Sequence, residues 1–149
     1  MNATEEKRSA DAKQQARAQL ATIIDIVDKL QWLNERENDR ATVEIEEGYP
    51  LDREGVEQYA HENALSVCVR RAAWRTLDDP DTKPDQFQIL LCCGGPHVEI
   101  RGELNEHMEP ENATLHYQDW FTGLIEFRDF ADMEQGKLNE YCQLFYFGE

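Results

Sequence analysis

Two rhythms of hydrophobic and polar residues divide the chain. From about Thr4 to Asn38, the apolar positions follow a helical period. Ala16, Leu20, Ile23, Val27, Leu30 and Asn34 are spaced alternately by four and three residues, which places them on one face. Ile24, Ile26 and Trp32 widen that face, and neither Pro nor Gly interrupts the stretch. A helix of about 35 residues at ~1.5 Å per residue runs ~50 Å, longer than the domain beside it. Its first turns hold only small apolar residues (Ala10, Ala12, Ala16), so that end is expected to project. The striped face can pack across the chain's own sheet or pair with a second copy. Gly48-Tyr49-Pro50 then breaks the chain, and Asp52 is placed to cap a short helix, Arg53 to Glu62, with Val56, Tyr59 and Ala60 inward.

From Leu65 the period becomes two. In Leu65 to Trp74, the residues Leu65, Val67 and Val69 alternate with Ser66, Cys68 and Arg70, as in a half-buried strand. Phe87 to Cys93 is nearly all apolar and reads as a central strand covered on both faces. After Gly94-Gly95-Pro96, Val98, Ile100, Gly102 and Leu104 point inward, and His97, Glu99, Arg101 and Glu103 outward. Beyond Asn105 to Glu111, Ala113, Leu115 and Tyr117 oppose Thr114, His116 and Gln118 in a further strand. Phe121 to Phe130 fits either a fifth strand or irregular chain over a sheet edge. Asp132 is expected to cap a last helix, with Gln135 at the capping-box position and Leu138, Tyr141, Cys142 and Phe145 as its buried stripe. The expected fold is α+β: an antiparallel four- to five-stranded sheet with a long N-terminal helix, a short second helix and a C-terminal helix. Residues 1–40 form the long amphipathic helix and 41–149 an acidic α+β domain, together one structural domain.

Charge changes this picture most. The 149 residues hold 31 Asp and Glu against 15 Lys and Arg, a net charge of −16. Residues 1–40 nearly balance, with eight acids and seven bases; 41–64 hold seven acids and one base; 87–149 hold twelve acids and three bases. A surplus of this size disfavours direct contact with a nucleic-acid backbone or an anionic membrane, because neutralising phosphates takes Lys and Arg. It suits a basic protein partner or imitation of a polyanion. Same-face strand residues repeat every ~6.7 Å, comparable to the spacing of phosphates along a backbone. Glu99, Glu103, Glu106, Glu109 and Glu111 are therefore candidate partner contacts, although Arg101 interrupts the row. Asp78, Asp79 and Asp81, in the polar two-proline loop Thr76 to Asp85, are further candidates, and Trp120, after Asp119 at a strand end, is a candidate aromatic anchor within the acidic rim.

Catalytic and metal readings are weaker. Cys92 or Cys93 with His97 and Asp119 can be drawn as a thiol triad, yet Cys92-Cys93 closes an apolar strand. The adjacent cysteines do not make the usual zinc clamp with His97 and Cys142. Gly94-Gly95 is too short for a phosphate loop. The four cysteines are read as reduced and buried. No cofactor and no enzymatic activity are expected. With no long apolar run and no secretory leader, the expected location is the cytoplasm.

Three segments carry a family resemblance: LLCCGGPHVEIRGEL from Leu90, LHYQDW from Leu115 and QLFYFGE from Gln143. They resemble a family of small acidic, functionally unassigned proteins carried by plasmids, integrated elements and phages of proteobacteria, over about Leu65 to Glu149. The resemblance implies the work of such gene pools, which includes anti-CRISPR and antirestriction proteins that occupy surfaces meant for DNA. The first expectation is a non-enzymatic anti-CRISPR-like protein whose acidic face blocks a basic nucleic-acid groove of a Cas protein or crRNA-guided complex. The alternative is an oligomeric adaptor or regulatory protein of a mobile element, a homodimer paired through the Ala16–Leu30 helix face.

Overall fold

A computed structural model describes residues 3–36, 40–70, 84–93, 96–119 and 123–147. The order is a 32-residue helix α1 (Ala3–Asn34), a two-strand hairpin of β1 (Val43–Glu44) and β2 (Pro50–Leu51), helix α2 (Arg53–Asn63), strands β3 (Ser66–Arg70), β4 (Gln86–Cys92), β5 (Val98–Leu104), β6 (Pro110–Asp119) and β7 (Gly123–Phe127), and helix α3 (Asp132–Cys142). The five later strands form one antiparallel sheet in chain order. This is the expected α+β fold, and Gly123–Phe127 supplies the fifth strand. The β1–β2 hairpin sits at the Gly48 break, where a φ of +87° suits glycine.

All three helices lie on one side of the sheet. α1 runs over β6 and β5 with α2 and α3 beside it. Ala12, Ala16, Leu20, Ile23, Ile26, Val27, Leu30 and Leu33 are buried. The face considered for pairing with a second copy is therefore occupied by the chain's own core. Burial departs from the simple stripe at its end: Asn34 is exposed, and Leu33 joins the cluster that holds Val56 and Ala60 of α2. Leu33 lies seven residues from Ile26 and so on the same line, whereas the amide of Asn34 gains by facing water.

Cross-strand pairing shows which side is dry. Val67, Ile89, Ile100, Leu115 and Phe127 form one row across the five strands. The last four are at most 1 % exposed, but Val67 is 40 % exposed because the helices stop short of β3. The half-buried strand expected there is thus an open edge strand. β4 alternates too: Phe87, Ile89 and Leu91 are buried, while Gln88 and Leu90 on the other face are half-covered; beyond a register shift, Cys92 pairs with the buried Val98 and packs against the core. Its apolar run reflects residue choice rather than two covered faces. Gly102 is where β5 must approach β4 closely, since a Cβ there would sit 2.4 Å from the Phe87 ring and 2.9 Å from the Glu111 carbonyl oxygen. Phe87 in turn packs on Phe147 with ring centroids 4.8 Å apart, closing the core from the C-terminal side.

The short helices are capped in different ways. The Asp52 carboxylate accepts from the Gly55 N–H at 2.8 Å, as expected. α3 begins at Asp132, the residue expected to cap it. Its N-cap is Ala131, whose N–H donates to the Glu134 carboxylate at 3.1 Å, while Gln135 donates to the Ala113 carbonyl at 2.6 Å and ties α3 to β6. Tyr141 is fully buried, and its hydroxyl donates to the Ala60 carbonyl at 3.0 Å near the end of α2. Burial pushes the Tyr141 pKa up to about 12. Of the four cysteines only Cys142 is buried; Cys68 and Cys93 are exposed and Cys92 is intermediate, which corrects the expectation of four buried thiols. No helix among the described residues is long and apolar enough to cross a membrane.

Because α1 supplies the largest share of the dry side, a chain beginning at Val43 is expected to lose its cooperative unfolding transition by circular dichroism. Ile23→Ala in the full chain is expected to destabilise it by about 2–5 kcal/mol. A sharp transition in the shortened chain would contradict this packing.

Candidate functional site

With the helices all on one side, the other side of the sheet faces outward and carries the polar half of each alternation. One row there runs Ser66, Leu90, Glu99, His116 and Glu126; the next runs Cys68, Gln88, Arg101 and Thr114. A shallow groove of about 680 Å³ crosses this face, lined by Arg70, Gln86, Gln88, Arg101, Thr114 and His116 among others. Beside the groove, on the same face, Glu99 is only 1 % exposed. Its carboxylate accepts from Gln88 Nε2 at 2.6 Å and Arg101 Nε at 2.6 Å, and contacts His97 Nε2 at 2.7 Å. Burial alone raises the Glu99 pKa. The hydrogen bonds from Arg101, His97 and Gln88, with the Arg101 charge, outweigh it and hold the carboxyl below its ordinary value. Glu99 faces the side expected of it, but it is buried and neutralised, not presented to a partner.

The histidines are more organised than their scatter in sequence implies. His97 and Glu99 share a strand face two residues apart, the spacing at which strand side chains stand together. Burial, and then the Arg101 charge, lower the His116 pKa against the opposing pull of Glu126 and Glu99. The Thr114 hydroxyl donates to the Arg101 carbonyl at 3.2 Å and meets His116 Nε2 at 2.8 Å. The Glu99 carboxylate is committed to three partners, so it is poorly placed to take a proton from a substrate. No group of three or more His, Cys, Asp or Glu side chains among the described residues is placed to hold a metal ion.

The β5–β6 hairpin holds the remaining candidates differently. Glu103, Glu106, Glu109 and Glu111 are all exposed. Asn105 shapes the tip: its side-chain oxygen accepts from His107 N at 2.9 Å and Glu109 N at 3.0 Å, and its own N–H donates to the Glu109 carbonyl at 3.0 Å. Met108 takes a left-handed φ of 64° within this turn and Asn112 one of 53° beside the register shift between β5 and β6. Glu103 and Glu111 are direct cross-strand partners. Asn112 Nδ2 donates to Glu103 at 3.2 Å and Asn105 Nδ2 to Glu111 at 3.1 Å. Among the described residues no Lys or Arg pairs with any of the four; the imidazole of His107 lies with Nε2 3.4 Å from Glu106.

Four other acids are neutralised locally. Arg128 pairs with Glu126, Lys29 with Asp25, Lys137 with Asp28 and Arg17 with Asp129. The structure thus separates Glu99 from Glu103, Glu106, Glu109 and Glu111 and brings the latter four to one end of the sheet. Asp78, Asp79, Asp81 and Trp120 lie outside the described residues. Asn105 and Asn112, which hold the hairpin, were not singled out from sequence; the spacing of Asn105 from Glu109 and Glu111 across the turn is the signal that identifies the first. No protein-family model, curated protein or solved structure matches the chain.

The depressed Glu99 pKa links this network to stability. The folded pKa lies below the unfolded one, so the contribution is present above the ordinary carboxylate range and is lost as pH falls through the folded pKa. Glu99→Gln is expected to lower the unfolding free energy at neutral pH by about 1–3 kcal/mol. The gap to the native chain should close as pH falls through that window, as measured by urea unfolding. A gap that is constant with pH would assign the loss to packing instead.

Proposed function

We propose that this chain is a non-enzymatic, cytoplasmic anti-defence protein of the anti-CRISPR kind. It docks exposed carboxylates against a basic groove that a Cas protein or crRNA-guided complex uses for nucleic acid. The observation that carries this reading is the pairing of Glu103 with Glu111 across β5 and β6, flanked by Glu106 and Glu109, with no Lys or Arg partner among the described residues. Like charges directly opposite each other destabilise a sheet. Here, among the described residues, two asparagine side chains bond the carboxylates and no Lys or Arg relieves them. A fold that keeps such a pair favours a use for it outside the fold.

The mechanism is steric and electrostatic. The ordered hairpin presents its charges with little backbone freedom left to lose on binding, and holds the Glu103 and Glu111 side chains through asparagine. A guanidinium- or ammonium-lined groove attracts them over a Debye length, about 8 Å at physiological ionic strength. Once seated, the hairpin excludes nucleic acid from the same cations. The family resemblance over Leu65 to Glu149 supports the class of target, and the net charge of −16 supports its basic character.

Conversion of Glu103, Glu106, Glu109 and Glu111 together to Lys is expected to abolish co-purification with the basic partner and any inhibition of its nucleic-acid binding. The circular dichroism spectrum should be retained. The native complex is expected to weaken steeply between low and high salt. Undiminished binding by the four-residue variant, or binding indifferent to salt, would overturn this function.

A further inference from the structure

β3 is where the sheet ends and where its protection ends too. Its inner edge bonds to β4 from Ser66 to Arg70, and among the described residues nothing pairs with its outer edge. All five of its residues are exposed. Leu65, Val67 and Val69 lie on the helix side, in register with the buried Ile89 and Phe87 of β4, yet are 58 %, 40 % and 43 % exposed. An open apolar edge strand is a template for another strand, and proteins usually guard one with charge, Pro or a bulge. This edge carries none of these up to Arg70. The stretch between Glu62 and Asp78 is the longest run of the sequence without a carboxylate, and it holds Arg70, Arg71 and Arg75.

That charge pattern selects the occupant. Two copies of a chain at −16 repel wherever their acidic surfaces meet, and β3 is the sheet edge where they can approach without opposing carboxylates. We propose that β3 pairs antiparallel with β3 of a second copy about a two-fold axis, joining the two sheets edge to edge. The favoured register is centred on Val67. It sets Val67 against Val67 and Leu65 against Val69 on the helix side, which extends the dry row of Ile89, Ile100 and Leu115 across the junction. It sets Cys68 against Ser66 on the outer side and keeps the two Arg70 side chains apart. This interface is independent of the β5–β6 hairpin, which stays exposed at the far end of β5 and β6.

The test is light scattering of the full chain across concentration and salt, with a short bismaleimide as a thiol bridge in a Cys93→Ser background. The expected result is a dimer that strengthens with added salt, because salt screens the repulsion between the two acidic bodies. Partner binding through the hairpin has the opposite salt dependence, so the two readings fail separately. Val67→Lys places two ammonium groups on the axis and is expected to give a monomer with an unchanged circular dichroism spectrum. The two Cys68 thiols lie on a cross-strand diagonal, about 7–8 Å apart, so the reagent should bridge them. Cys68→Ser should remove the bridge and leave the dimer. A chain that stays monomeric, whatever other strand or segment covers β3, overturns the proposal. So does a dimer that survives Val67→Lys, or one that the reagent does not bridge.

Discussion

The structure depends on the burial of one long helix against one side of a sheet. The α1 stripe from Ala12 to Leu33 meets the row Ile89, Ile100, Leu115 and Phe127, and α2 and α3 pack beside it on the same side. Burying a single Leu or Ile side chain contributes about 1.5–3 kcal/mol, and no other part of the chain offers so many at once. Once the helices take that side, the other must face outward. The alternation in β4, β5 and β6 then sends Gln88, Glu99, Arg101, Thr114 and His116 there. Glu99 is the exception on that polar face: it is buried by its neighbours and kept ionised by Arg101, His97 and Gln88.

A net charge of −16 has to be distributed over this one-sided architecture. Asp25 and Asp28 of α1, Glu126 of β7 and Asp129 after it have cations beside them, two of which reach across the chain, Arg17 to Asp129 and Lys137 to Asp28. These exposed pairs contribute little stability, but they cancel the charge locally. The β5–β6 hairpin does the reverse. It gathers four carboxylates, sets two of them opposite each other and orders them with amides. The fold therefore neutralises some acids locally and concentrates four others in the hairpin, and the concentrated four are the functional candidate. The edge of β3 is its complement: apolar, without carboxylates of its own and unpaired on its outer side among the described residues.

Much of the fold was legible because periodicity reports which side is dry. The 3.6-residue stripe marked α1, and strict alternation in His97 to Leu104 marked the two faces of β5. Asp52 marked the start of α2. The misreadings have specific causes. Phe87 to Cys93 looked covered on both faces because Leu90 is apolar although it sits on the outer side, and because a register shift brings Cys92 against the core beside Val98. Asn34 fell on the geometric stripe but is polar, so Leu33 took the buried place. Asp132 looked like a cap, yet the Glu134 carboxylate holds the Ala131 N–H. The site was less legible than the fold. Alternation put Glu99 and Glu103 on one side, but only cross-strand neighbours decide that Gln88, His97 and Arg101 bury the first while Glu111 opposes the second. The exposure of Leu65, Val67 and Val69 was hidden for the same reason, since it depends on how far the helices reach across the sheet.

The central claim is that the Glu103–Glu111 pair is held against the interest of the fold. The most direct measurement is the thermal unfolding midpoint of Glu103→Gln/Glu111→Gln, a substitution that removes both charges and keeps the shape and the hydrogen-bond acceptors. Relief of the like-charge pair is expected to raise stability by about 0.2–1 kcal/mol, while binding to a basic partner falls. A lower midpoint would mean that the two carboxylates serve the fold, and would contradict the account.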